Sequence, residues 1–197
     1  MKECKYDETK KYPNGITVVG IATGGYSLGT KDIKYGFLDE TGKEIVSCKY
    51  DYFGDFIGNV AVVGIGSYDF WGNDCSIGFF GKWGCVDTTG EEIVPIGKYK
   101  RVGFDGCCRH PYMAAFSENL LAVCEWETEK WGFVDNTGKE IIPCKYDSID
   151  WFPRDTSKKR ELFSPPEFFT NGLARVKLCD RWFYIDKMGN EVNNEVS

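Results

Sequence analysis

Histidine is almost missing from this chain: His110 is the only one. A single imidazole excludes a histidine-rich metal centre and leaves little for general-base chemistry near neutral pH. No two cysteines stand in a CxxC pair, so the nine thiols lack the spacing of a zinc site. No GxGxxG joins a strand pattern to a helix pattern, which removes the usual phosphate cradle and with it any cofactor signal. Long apolar runs are missing too. The longest, around Val60 to Ile65, falls far short of the ~20 residues of a membrane span. The opening Met1 to Glu8 carries charges where a secretory leader needs an apolar stretch. Positive charge is the minority, with 24 Lys and Arg against 30 Asp and Glu and a net charge of −6. That balance argues against nucleic acid or an anionic membrane as partner, since both reward clustered cations. The expectation is a soluble cytoplasmic chain whose cysteines are reduced and act as small hydrophobes.

Aromatics, by contrast, make up 16% of the chain and glycines number 23. This mixture suits short strands joined by tight turns. At 197 residues the chain reads as one domain, 1–197. Inside it three sequence blocks recur in fixed order. The first is Cys4-Lys5-Tyr6-Asp7, then Cys48-Lys49-Tyr50-Asp51, a degraded Gly97-Lys98-Tyr99-Lys100, and Cys144-Lys145-Tyr146-Asp147, with starts 44, 49 and 47 residues apart. The second opens on an aromatic at Tyr12, Phe56, Phe116 and Phe169, passes Asn or Gly, and ends in Val19, Val63, Val123 and Val176. The third reads KYGFLDETGKEIV from Lys34, KWGCVDTTGEEIVP from Lys82, KWGFVDNTGKEIIP from Lys130 and RWFYIDKMGNEV from Arg181. These matches divide the chain into units of approximately 4–47, 48–96, 97–143 and 144–192.

Each third block is an apolar run, Asp-x-x-Gly, and a second apolar run, the pattern of a β-hairpin. Asp39, Asp87, Asp135 and Asp186 are placed to hydrogen-bond the turn backbone, and Gly42, Gly90, Gly138 and Gly189 to supply its left-handed position. With the strand of the second block, each unit is expected to contribute about three strands.

The blocks KWGFVDNTGKEIIP, CKYD and F-x-x-G-L-A-x-V resemble the bacterial WG-repeat, or KWG-repeat, proteins, over essentially the whole chain outside its insertions. The resemblance implies an all-β repeat with an interaction role and no general enzymatic activity. The chain departs from the pattern at Tyr35 for Trp, Phe183 for Gly, Ser47 for Pro and Lys100 for Asp, as expected of atypical terminal repeats.

Apolar residues at both alternate positions of the third block, such as Phe37 and Leu38 or Phe133 and Val134, predict a strand covered on both faces. Trp83, Trp131 and Trp182 are then core pegs between units, with ligand stacking the alternative, while Gly36, Gly84 and Gly132 admit a neighbouring ring or backbone. Cys4, Cys48 and Cys144 read as core filler. Cys107, Cys108 and His110 form the one place where thiols and imidazole meet, and a metal there would need ligands from elsewhere.

The carboxylates that repeat are explained by turns, and Glu125, Glu127 and Glu129 alternate as a solvated edge would, so no pair stands out for hydrolysis. What varies is the connections. From the Tyr of the first block to the aromatic of the second is 6, 6, 17 and 23 residues, which marks insertions over 102–115 and 148–167; another precedes Lys82. The candidate binding residues lie in these segments: Trp151, Phe152, Arg154, Lys158, Lys159 and Arg160 in one, Phe70 and Trp71 in another.

The fold expected is all-β: four tandem repeats of antiparallel hairpins forming an open, solenoid-like superhelix, with a closed four-bladed propeller as the alternative. The function expected is a non-catalytic module presenting inserted loops to a protein or peptide partner. A glycan-binding module and a carboxylate-based hydrolase are the alternatives.

Overall fold

A computed structural model describes residues 5–27, 30–71, 76–103, 116–150 and 168–192. The chain divides into two compact units, one running to Ile96 and the other starting at Gly97. Among the described residues there is no helix, and the strands form four antiparallel sheets, none closed into a barrel.

In the first unit, Glu8–Lys11 (β1), Thr17–Ser27 (β2), Thr30–Leu38 (β3) and Glu44–Tyr50 (β4) pair in sequence order. Tyr52–Phe53 (β5), Val60–Trp71 (β6) and Ser76–Asp87 (β7) make the second sheet. Its last strand is a single bridge, Cys85 to Val94, and Gly97, at φ +80°, lies in a turn where Cys48 and Cys144 continue their strands. In the second unit, Arg101–Val102 (β8), Leu120–Cys124 (β9), Trp131–Asp135 (β10) and Glu140–Tyr146 (β11) form one sheet. Ser148–Ile149 (β12), Ala174–Leu178 (β13), Arg181–Ile185 (β14) and Glu191–Val192 (β15) form the other.

Each repeat therefore adds a short strand to the three expected, which makes four strands in three of the sheets and, with the last strand reduced to a bridge, three in the second. The extra strand is two to four residues long and follows the first block directly. The first block itself completes the preceding hairpin: Cys48-Lys49-Tyr50 ends β4, and Cys144-Lys145-Tyr146 ends β11. The chain then folds back at the next residue. The backbone N–H groups of Asp7, Asp51, Lys100 and Asp147 donate to the carbonyls of Gly20, Gly64, Cys124 and Lys177 at 2.8–2.9 Å.

Among the described residues each unit holds an apolar cluster between its two sheets. In the first unit, Ile16, Val18, Phe37, Val46 and Tyr50 of one sheet pack on Ala61, Val63 and Val86 of the other. In the second, Leu120, Ala122, Phe133, Ile142 and Tyr146 pack on Ala174, Val176 and Ile185. The aromatic that opens the second block meets the third-block Phe of the preceding repeat edge-on in both: Phe37 with Phe56 at 5.8 Å, Phe133 with Phe169 at 5.0 Å. Two-sided cover holds for the middle repeats, where Cys85, Val86, Phe133 and Val134 are fully buried. In the outer repeats Leu38 and Tyr184 are only half-buried.

Candidate interaction surface

The residues that repeat are spent on the framework. Asp39 Oδ1 accepts the Thr41 N–H at 2.8 Å, the Thr41 hydroxyl at 2.6 Å and the Lys43 N–H at 3.0 Å. Asp87 and Asp135 make the same three bonds in their turns, and Asp186 accepts the N–H groups of Met188 and Asn190. Gly42, Gly90, Gly138 and Gly189 have φ between +77° and +89°, as the hairpin pattern requires. These bonds favour the charged carboxylate. The Thr41 hydroxyl and the Lys43 N–H hold Asp39 below the usual carboxylate range, and the Asn190 side chain does so for Asp186. At Asp135 burial opposes the shift, but Thr137 and Lys139 still bring it down.

The first-block aspartates make a second clasp. Asp7, Asp51 and Asp147 accept the backbone N–H of Ala22, Gly66 and Cys179 at 2.8–3.0 Å. Asp51 also binds Lys34 at 2.6 Å, and Asp147 binds Lys130, each the lysine that opens the preceding third block. Lys100 cannot accept and instead pairs with Glu129.

Trp131 is the core peg expected, 7% exposed, whereas Trp83 is partly buried, edge-on to Tyr52 at 4.9 Å. Trp182 departs from expectation: it is 39% exposed, with the Arg175 guanidinium 4.9 Å from its ring centroid. Gly36 and Gly132 sit at register shifts between strands, where a Cβ would come within 2.4 Å of the Val46 carbonyl and 2.5 Å of the Ile142 carbonyl. The close neighbour of these glycines is thus backbone. Burial pushes the Cys144 thiol up to about 12 and that of Cys85 higher still, so both are protonated hydrophobes at neutral pH.

Trp151, Phe152, Arg154, Lys158, Lys159 and Arg160 lie outside the described residues, as do Cys107, Cys108 and His110. Of Phe70 and Trp71 the backbone alone is described. They end β6 opposite Ile77 and Ser76, so the described residues of the segment before Lys82 extend the β6–β7 ladder, which runs from Val60 and Asp87 to Trp71 and Ser76. Among the described residues no three His, Cys, Asp or Glu side chains gather to hold a metal. No helix there is long and apolar enough to cross a membrane.

Sequence reasoning passed over one exposed aromatic. Trp126, in the turn between β9 and β10, belongs to none of the three blocks and is 49% exposed. A tryptophan outside the repeat pattern was the signal available for it.

The family model of the WG containing repeat matches residues 35–68, 83–105 and 131–154. Each match begins at the aromatic of a third block, Tyr35, Trp83 or Trp131. No curated protein and no solved structure matches the chain.

Proposed function

The chain is a WG-repeat protein, and from that premise we propose that it is a non-catalytic module holding protein or peptide partners on the connections between its repeats. The WG repeat is a non-catalytic repeat type. The observation that carries the reading is the use of the repeated polar residues: the turn aspartates, the first-block aspartates and the third-block lysines Lys34 and Lys130 are engaged in turns and clasps. Groups so engaged serve the fold, and recognition falls to the parts that vary.

The segment 150–160 is the chief candidate. It interrupts a repeat that keeps its pattern on both sides, and pairs Trp151 and Phe152 with Arg154, Lys158, Lys159 and Arg160. Aromatic and arginine anchors dominate protein interfaces, and the basic run would draw an acidic segment faster at low salt. Replacing 150–160 with a short Gly/Ser linker should abolish recovery of partners from a lysate while the melting temperature holds. Unchanged recovery, or a collapsed fold, overturns the assignment.

A further inference from the structure

The turn that carries Trp126 points to a second recognition site of opposite charge preference. Its chain, Glu125-Trp126-Glu127-Thr128-Glu129, joins β9 to β10 and is built to be rigid. The Glu125 N–H donates to the Lys130 carbonyl at 3.1 Å, the Thr128 hydroxyl to the Glu125 carboxylate at 2.7 Å, and the Lys130 N–H to the Thr128 hydroxyl oxygen at 3.2 Å. The indole N–H of Trp126 donates to the Gly97 carbonyl at 3.0 Å. One end of the ring is thereby fixed while about half its surface stays in water. A ring oriented beforehand loses little entropy when a ligand stacks on it.

Two described tryptophans of this compact unit, Trp131 and Trp182, show what such a ring takes. Arg101 lies 5.9 Å from the Trp131 centroid and Arg175 lies 4.9 Å from that of Trp182. Over Trp126 no cation sits among the described residues. Lys100 pairs with Glu129, Lys130 with Asp147, and Lys98 lies over the Tyr99 ring. Of the three flanking carboxylates, Glu125 accepts the Thr128 hydroxyl and Glu129 binds Lys100, while Glu127 is exposed and has no partner among the described residues. An exposed quadrupolar ring and an exposed carboxylate on successive residues of one turn each attract a cation and repel an anion.

We propose that Trp126 and Glu127 form a docking site for the arginine or lysine side chain of an extended basic protein segment, the cation stacked on the indole and paired with the Glu127 carboxylate. The site rests on the reading of the chain as a binding module, but is independent of segment 150–160.

The test uses the full chain and, as probe, the capped peptide Gly-Arg-Gly-Arg-Gly-Arg, with a Glu-for-Arg peptide as control. Calorimetry gives the affinity, and ¹⁵N-indole spectra, with the Trp126 signal assigned by Trp126→Tyr, report the place. The arginine peptide should shift the Trp126 resonance and bind about five- to tenfold more weakly to Trp126→Ala, from a stacking contribution of ~1 kcal/mol or more. Trp126→Tyr should retain most of the affinity, and Glu127→Gln should lower it and flatten its salt dependence. Should Trp126→Ala fail to fold, Glu127→Gln and the wild-type spectra decide. A Trp126 resonance unmoved by the arginine peptide, or equal binding of the glutamate peptide, overturns the site. Either failure leaves the module reading standing, since that is read from partner recovery on replacing 150–160.

Discussion

The two compact units hold the same sheet and finish it differently. Phe37 on Phe56 corresponds to Phe133 on Phe169, Lys34 with Asp51 to Lys130 with Asp147, and the close approach at Gly36 to that at Gly132. The hairpin from the second block to the third differs. In the first unit it runs far out: β2 and β3 pair to Ser27 and Thr30, and β6 and β7 to Trp71 and Ser76. In the second unit it closes early, at Leu178 and Arg181 through Cys179 and Asp180, both at positive φ, or through the turn that carries Trp126. The second unit places its extra length instead before the second block. The contacts between neighbouring sheets are therefore alike in the two units, and the added length differs in its place along the repeat.

The comparison can be broken at several levels, starting with the tryptophans. Trp131→Ala should cost ~3–5 kcal/mol, the range for emptying a large core site, whereas Trp182→Ala should cost ~1 kcal/mol or less, the value of an exposed ring under a cation. Denaturant unfolding of both variants checks this. Equal losses would mean that the outer repeat is packed like the inner one. Gly36→Ala and Gly132→Ala should each cost about 1–3 kcal/mol, since the new methyl meets backbone that cannot turn aside. Tolerance at one position alone would show that the two units do not share the same strand crossing.

Acid should act on both units alike. Asp39, Asp135 and Asp186 have folded pKa values below their unfolded ones, so their stabilisation is complete above the unfolded value of about 4 and is lost as pH falls through the folded values. Unfolding midpoints should drop below about pH 4, and Asp135→Ala should show a smaller drop than wild type. An unchanged acid limb in that variant would remove the turn carboxylate from the account. The smallest effect expected is at the clasp: Asp51→Ala should cost ~1 kcal/mol, one hydrogen bond and one partly exposed ion pair. Asp147→Ala should move stability in the same direction.

Most of the local chemistry could be read from the chain. An Asp-x-x-Gly turn satisfies its own backbone, so Asp135 and Gly138 announced their roles without reference to anything distant. Trp131 could be placed because both sides of its strand are apolar. Trp182 could not: its sequence context repeats the pattern, but Arg175 and Lys177 stand where the preceding repeat has Ala122 and Cys124, and only strand register shows that Lys177 is paired with Trp182. The short strand after the first block escaped notice because two residues carry no periodicity. The joining of the first block to the preceding hairpin escaped because a block boundary in sequence need not be a boundary between strands. The aromatics before Lys82 read as an insertion, and the added length there continues a ladder already begun at Val60.

The central claim, that partners meet the connections and not the repeated framework, is tested most directly by photo-crosslinking in a lysate. p-Benzoylphenylalanine is placed singly at Trp151, at Trp126 and, as an exposed framework control, at Thr137 in the Asp135 turn. The account predicts discrete protein adducts from 151 and 126 and none from 137. Adducts from 137 alone, with 151 and 126 silent, would contradict it.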